Sequence, residues 1–299
     1  LVRMTSAWSR ECRIKEDEFC DLGLDMSWAP HGVKCERFGQ VGTMPNRGWY
    51  PFAAIEGAGC VWAATLEAPY SWQMEVYKLR ETCALSGGLA DYEFGHWFKK
   101  IAHGERFSTH KAYLWVGKGS SLDACNAFVR FQDNRLLSAG ALPESERDMP
   151  VLFNEYCTTW GVPSEENIRA ILHCIEGLPI RYFVIDAGWY KPDHCDWGHA
   201  MGDWNESKTL FPHGIRAVAE MIQSSGKKAG VWFEFEVAGS ASEMYSREDM
   251  LLKRDGVPLT SGARRFLDLR KKDVQAYFSR KMCDFLRENG FEYIKIDYN

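Results

Sequence analysis

The sequence predicts an all-β unit followed by an α/β unit: a β-sandwich, then a (β/α)8 TIM barrel of which about the first four strands are present. Three observations carry this. Residues 1–117 read as strands and turns; from Val151 onward strand-like and helix-like segments alternate; and the apolar strands of that second part end in carboxylates, aromatics and a lysine. The expected limits are 1–117 for an N-terminally incomplete sandwich, 118–149 for a helical linker and 150–299 for the first half of the barrel.

In the first part, CVWAATLEA (60–68) and WQMEVYKL (72–79) flank the turn signal Ala68-Pro69-Tyr70-Ser71, and KAYLWVG (111–117) is another strand-like run. Trp72, Met74 and Val76 alternate with Gln73, Glu75 and Tyr77, the period of a strand with one buried face. A helical segment then runs from Leu122 to about Leu136, followed by a Pro- and charge-rich tail read as the domain boundary.

In the second part, VLFNEY (151–156) precedes a helix capped by Ser164, with Ile168, Ile171, Leu172 and Ile175 on one face and a stop at Gly177. RYFVIDAGW (181–189) is the next strand. Its helix begins after Pro212, carries Ile215, Val218, Ala219 and Ile222, and stops at Gly226, expected in a left-handed conformation. KKAGVWFEFE (227–236) is the third strand. A helix from roughly Lys272 to Asn289, burying Val274, Phe278, Met282 and Phe285, leads to the fourth, FEYIKIDYN. Periodicity alone fits a doubly wound sheet equally well. Polar strand ends converging on one mouth favour a barrel, and no phosphate-binding glycine fingerprint follows the first strand.

The chain of 299 residues is 45% apolar, 26% charged and 14% aromatic, enough to bury sizeable cores. Thirty-six Lys and Arg against 41 Asp and Glu give a net charge of −5 without a basic block, so neither nucleic acid nor a membrane is an expected partner. The absence of a signal-peptide layout at the start leads to the expectation of a soluble, cytoplasmic protein. Ten scattered cysteines without a C-x-x-C are expected to be reduced and buried. Asp193, His194, Cys195 and His199 match no zinc spacing, so no metal or other cofactor is expected, and Asn205-Glu206-Ser207 is read as a chance sequon. Because the chain opens on Leu1 and closes on a core strand at Asn299, both ends are expected to be cut.

Carboxylates beside tryptophans, without a nucleophile elbow or phosphate loop, point to sugars. Trp presents a flat apolar face to a pyranose, carboxylates accept from its hydroxyls, and glycoside hydrolysis runs on two carboxyl groups. Asp297 is the candidate nucleophile, with Lys295 two residues earlier on the same side of its strand. A strand-end Asp that caps the following helix is the alternative.

IDAGW (185–189), GDW (202–204), FPHGI (211–215), GVWFEFE (230–236), FLDL (266–269) and YIKIDYN (293–299) occur in an order and spacing that resembles the catalytic domain of glycoside hydrolase family 36, the α-galactosidases or melibiases. GHWFKKIAHGERFSTHKAYL (95–114) looks like the later part of that family's β-sandwich. The resemblance implies a retaining exo-α-glycosidase acting on an oligosaccharide or glycoconjugate through a glycosyl-enzyme on Asp297. It implies substrate binding by Asp186, Trp189, Asp203, Trp204, Trp232, Lys295 and Asn299, Lys295 and Asp186 meeting sugar hydroxyls and Trp232 lining the pocket. It also suggests a homo-oligomer.

Three departures qualify this. Ala187 stands where the family has a second Asp, removing a hydroxyl contact worth ~1.5–3 kcal/mol and leaving the sugar open. Phe235 replaces a Pro of the family, read as a packing change. The family's acid/base carboxylate lies on a later strand, beyond Asn299, so the chain is expected to be part of a longer glycosidase. A silent carbohydrate-binding subunit, a raffinose-synthase-like transglycosylase and an α-N-acetylgalactosaminidase stand as alternatives.

Overall fold

The computed structural model describes residues 1–7, 9–25, 35–42, 44–79, 82–95 and 98–298. The chain divides into two compact units, Leu1–Leu142 and Pro143–Asn299.

In the first unit, β1 (Val2–Thr5), β2 (Arg13–Glu16), β4 (Trp49–Gly57), β5 (Cys60–Leu66) and β8 (Ala112–Lys118) form an antiparallel sheet in the order β2-β1-β4-β5-β8. A second antiparallel sheet contains β3 (Cys35–Gln40), β6 (Trp72–Leu79) and β7 (Thr82–Leu89) in the order β3-β6-β7. Ala53, Ala64 and Leu66 of the first sheet pack against Phe38, Trp72, Met74 and Val76 of the second, giving the expected sandwich core. Trp72, Met74 and Val76 are buried and Gln73, Glu75 and Tyr77 less so, as their alternation requires.

The helix α1 (Ser121–Ser138) is not a linker but part of this unit. Its buried Ala124 and its neighbour Phe128 cover the other face of the five-stranded sheet, where Phe128 meets Phe52 edge-to-face at 6.4 Å. Arg135 near its end is held by Glu67 at 3.0 Å and the Tyr113 hydroxyl at 2.7 Å. A sheet with apolar side chains on both faces needs this cover, which a segment-by-segment reading does not reveal.

In the second unit, β9 (Val151–Asn154), β10 (Ile180–Ile185), β11 (Lys228–Phe233) and a fourth strand run parallel. The helices α2 (Tyr156–Thr159) and α3 (Glu165–Cys174) lie between β9 and β10; α4 (Trp197–Ala200) and α5 (Ile215–Ser224) lie between β10 and β11. After β11 come β12 (Val237–Gly239), β13 (Lys253–Arg254), β14 (Val257–Pro258), β15 (Thr260–Ser261) and β16 (Arg264–Phe266), which form a three-stranded antiparallel sheet β12-β16-β15 and a β13-β14 ladder. The helices α6 (Lys272–Phe278) and α7 (Phe285–Asn289) lead to the fourth parallel strand, β17 (Tyr293–Ile296). The sheet order is β17-β11-β10-β9, each strand added beside its predecessor. A doubly wound sheet reverses direction at a switch point; this progression has none and is that of a half-barrel.

The helices form where their apolar stripes lie. Ser164 Oγ accepts the Asn167 N–H at 3.1 Å and caps α3, which buries Ile168, Ile171 and Leu172. Ile215, Val218, Ala219 and Ile222 of α5 pack in one core with Phe183, Ile185, Val231 and Phe233. Gly226, at φ +78°, supplies the left-handed stop.

The final helix spans Lys272–Asn289 as expected but is not regular, because a π turn over Ser279–Asp284 lies between α6 and α7. This wider turn re-phases the helix and sets Phe285 against Trp189 at 4.7 Å, whereas Met282 stays only partly buried. All ten cysteines are unpaired, yet Cys12, Cys20, Cys35, Cys157, Cys174 and Cys283 are exposed. In α3 the buried stripe runs through Ile171 and Leu172, which leaves Cys174 on the outer side. Among the described residues no helix is long and apolar enough to cross a membrane.

Candidate active site

The four parallel strands deliver their last residues to one place. Pairing sets Val184 beside Asn154, Ile185 beside Val231, and Trp232 beside Lys295. Asp186, the first residue after β10, therefore projects at the level of Trp232 and Lys295. Its Oδ2 accepts the Asn154 amide at 2.7 Å and the Lys295 ammonium at 2.8 Å, while Oδ1 accepts the Ala187 N–H at 2.7 Å. Lys295 Nζ lies 3.7 Å from Asp297 Oδ2. That oxygen accepts the Trp232 indole N–H at 3.0 Å, and Asp297 Oδ1 accepts the Tyr298 N–H at 2.8 Å. One polar line, Asn154–Asp186–Lys295–Asp297–Trp232, thus crosses all four strand ends. Asp186 is nearly buried, with a side chain 4% exposed, whereas Lys295 and Asp297 are 33% and 34% exposed. The half of the line that ends on Asp297 is the half a ligand can reach.

The turn carrying Asp186 is held from behind. Gly188 has φ +107°, and a Cβ there would collide with the carbonyl oxygen of Gly161 in the turn after β9, so the two turns approach at a distance only glycine permits. Glu155, fully buried, accepts the Asp186 N–H at 2.8 Å. Burial pushes its carboxyl up to about 7 against the pull of Thr159 and the Asp186 N–H. Glu234, also fully buried, pairs with Arg264 at 3.6 Å, and the Arg264 guanidinium lies 5.6 Å from the Trp197 ring centre. Burial, with the Glu234 charge, drives the Tyr190 hydroxyl well above the usual tyrosine range.

The structure brings together Asp186, Trp232, Lys295 and Asp297 of the sequence-derived set. It reassigns the tryptophans: Trp189 and Trp232 are 0% and Trp204 2% exposed, stacked among Tyr190, Phe233 and Phe285, so none offers a face to a sugar. Trp189 Nε1 donates to the Trp232 carbonyl at 2.8 Å, and Trp232 acts on the line through its N–H edge. Asp203 is apart from the line. Its oxygens accept the main-chain N–H groups of Glu243 at 2.9 Å and Met244 at 3.2 Å, beside a cleft of about 460 Å³ that also includes Lys191, His194 and Lys208. Asn299 lies outside the described residues.

Arg264 emerges only from the structure as part of this end of the sheet. Asn154 and Glu155 are recognisable in the sequence as strand-end polar residues, but nothing there shows that they reach across to Asp186. Trp160 at this end carries an exposed aromatic ring, 64% exposed and 5.6 Å from Tyr156. Among the described residues no cluster of three metal-ligating side chains occurs; His199 instead pairs with Asp196 at 2.8 Å.

A model of the melibiase family matches residues 126–299. α-Galactosidase Mel36A of Lactobacillus acidophilus is 28% identical over 214 residues, 71% of this chain and 28% of that protein. The crystal structure of the family 36 α-galactosidase AgaA from Geobacillus stearothermophilus matches with a TM-score of 0.80 at 21% identity, covering 100% of this chain and 40% of that one. An AgaA variant in complex with raffinose gives 0.79 at 21% identity over the same shares. The chain therefore spans less than half the length of these relatives, and its likeness to AgaA is one of fold. The family match runs through more than half of the sequence and contains every strand end on the polar line: the chain belongs to the melibiase family, glycoside hydrolase family 36.

Proposed function

We propose that the protein is a retaining exo-α-glycosidase that removes terminal α-galactosyl or closely related residues from oligosaccharides, with Asp297 as nucleophile. The observation that carries this reading is the polar line itself. Asp297 is partly exposed at the end of a parallel strand, its two oxygens aimed by the Trp232 and Tyr298 N–H groups, with the Lys295 ammonium alongside. In the first step an Asp297 oxygen bonds to the anomeric carbon as the glycosidic bond breaks, and the leaving oxygen takes a proton from an acid. In the second, water attacks the same carbon, its proton passes to the group that acted as acid, and Asp297 leaves with its electron pair. Lys295 and Asp186 bind sugar hydroxyls beside the reacting centre.

The acid in this mechanism is a second carboxyl, ~5–5.5 Å from the nucleophile in retaining enzymes. Glu155 is fully buried, and Asp186 is occupied by Asn154, Ala187 and Lys295, so we assign neither to that role. The acid is assigned to a part of the longer relatives that these 299 residues do not span. Raffinose, bound by the AgaA variant, is the kind of substrate this reading favours. Ala187, which is buried and offers no carboxylate, favours testing N-acetylated and other modified hexosides beside galactosides.

The test is turnover of p-nitrophenyl α-galactoside by the full-length protein. Asp297→Ala is expected to abolish it and azide to restore part of it, as a small nucleophile entering the vacated space. Undiminished activity in that variant overturns the assignment.

A further inference from the structure

One buried ionisable group in this site has no part in the chemistry just described. Glu155 follows β9, and its main chain is fixed to the sheet and to the next turn. Its N–H donates to the Val184 carbonyl at 3.3 Å, and its carbonyl accepts from Thr158 N–H at 2.8 Å and Thr159 N–H at 3.1 Å. The side chain turns sideways to the neighbouring strand. Oε1 accepts the main-chain N–H of Asp186 at 2.8 Å, and Oε2 accepts the Thr159 hydroxyl. A carboxyl without solvent contact is costly unless its oxygens meet donors; here both do, and one donor is the peptide of the residue that grips Lys295.

A side chain takes its direction from its own peptide. With its N–H held by Glu155, Asp186 places its carboxylate where Asn154, Ala187 and Lys295 all reach it. Removing the Glu155 acceptor leaves a buried N–H unpaired and frees the Asp186 peptide to turn, which shifts the hydrogen bond that fixes Lys295. The charged groups facing Glu155 from neighbouring strands are Asp186 on the β10 side and Lys295 on β17; Thr159 faces it from α2.

Resting on the glycosidase reading above, we infer that Glu155 is a positioning residue of this site, which sets the direction of Asp186 and Lys295 through the Asp186 main-chain N–H. Its ionised form accepts the Asp186 N–H through a charge-assisted bond, which weakens as Glu155 takes up a proton, and binding weakens with it. Asp186 and Lys295 form and break no bond in the reaction and meet sugar hydroxyls in ground and transition state alike. The effect therefore falls on KM more than on kcat.

The experiment compares full-length wild type, Glu155→Gln, Glu155→Ala and Asp297→Ala on p-nitrophenyl α-galactoside across pH. Glu155→Gln, nearly the same shape, is expected to raise KM about tenfold with kcat within about threefold, and to erase the rise of kcat/KM near neutral pH. Glu155→Ala is expected to raise KM further; should it fail to fold, Glu155→Gln carries the test alone, its folding checked by a melting temperature no lower than wild type. Wild-type KM and an unchanged pH profile in Glu155→Gln, with Asp297→Ala inactive, overturn the inference and leave the glycosidase reading intact. A wild-type protein without turnover, or full activity in Asp297→Ala, overturns that reading and the inference with it.

Discussion

The ammonium of Lys295 lies 2.8 Å from Oδ2 of Asp186, a residue 109 positions earlier in the sequence. Lys295 is thereby bonded across the β11 strand to the far side of the site, while remaining 3.7 Å from Asp297 on its own strand. One cation serves two carboxylates, the nearer almost buried and the farther a third exposed. Lys295 holds the two halves of the site together while a third of its side chain stays exposed.

Replacing it tests that double role. Lys295→Met keeps the length of the side chain and removes the charge, leaving Asp186 with only the Asn154 and Ala187 donors. Truncating one partner of a buried charged hydrogen bond costs ~2–5 kcal/mol, and the partial exposure of Lys295 puts the expectation at the low end. A loss of about 2 kcal/mol, roughly thirtyfold in kcat/KM, is expected for the full-length enzyme, measured by steady-state kinetics. A change below about threefold shows that the Lys295–Asp186 bond is incidental.

Much of this arrangement was legible in the sequence, and what was not has a common cause. Helix α5 could be read residue by residue because its buried positions repeat with the helical period and its end carries Gly226. Asp186, Lys295 and Asp297 could be read because polar residues at the ends of apolar strands have few structural reasons to be there. The tryptophans could not. Whether Trp189, Trp204 and Trp232 face a ligand or one another depends on turns 15 to 43 residues apart meeting in space. Trp204 and Trp232 are 6.1 Å apart, a contact that leaves no mark on either local segment. The same holds for α1, whose stripe of Ala124 and Phe128 has meaning only once β4 and β5 are beside it, and for Glu155, whose partner is a peptide group on another strand.

Burial of Glu155 makes stability depend on pH in a defined direction. Its carboxyl is raised from an ordinary 4.5 to about 7, so between those values the folded protein holds a proton that the unfolded chain has released. The stability this contributes is complete below about 4.5 and is lost as pH rises through about 7. At 1.36 kcal/mol per pH unit, the full span is about 3 kcal/mol. Glu155→Gln cannot ionise. Its stability relative to wild type is therefore expected to rise by up to about 3 kcal/mol from about pH 5 to about pH 8, read from urea unfolding of both proteins at each pH. A pH-independent difference contradicts a buried, raised carboxyl.

The close approach of Gly188 to Gly161 ties the fold to the site, and it separates from ordinary glycine effects by comparison with Gly226. Both have positive φ, +107° and +78°. Around Gly226 nothing lies within 4 Å of an added Cβ, so Gly226→Ala meets only the backbone cost of a left-handed L-residue, about 1–2 kcal/mol. At Gly188 the added methyl meets a main-chain carbonyl that cannot rotate away, so the turn after β10 must move and takes Asp186 with it. Gly188→Ala is expected to cost about 3–4 kcal/mol of stability and to lower kcat/KM of the surviving folded enzyme by at least about tenfold. Gly226→Ala, far from the polar line, is expected to leave kcat/KM unchanged. Thermal unfolding and steady-state kinetics of the two variants check this together, and equal effects of both substitutions show that the Gly161–Gly188 approach does not position Asp186.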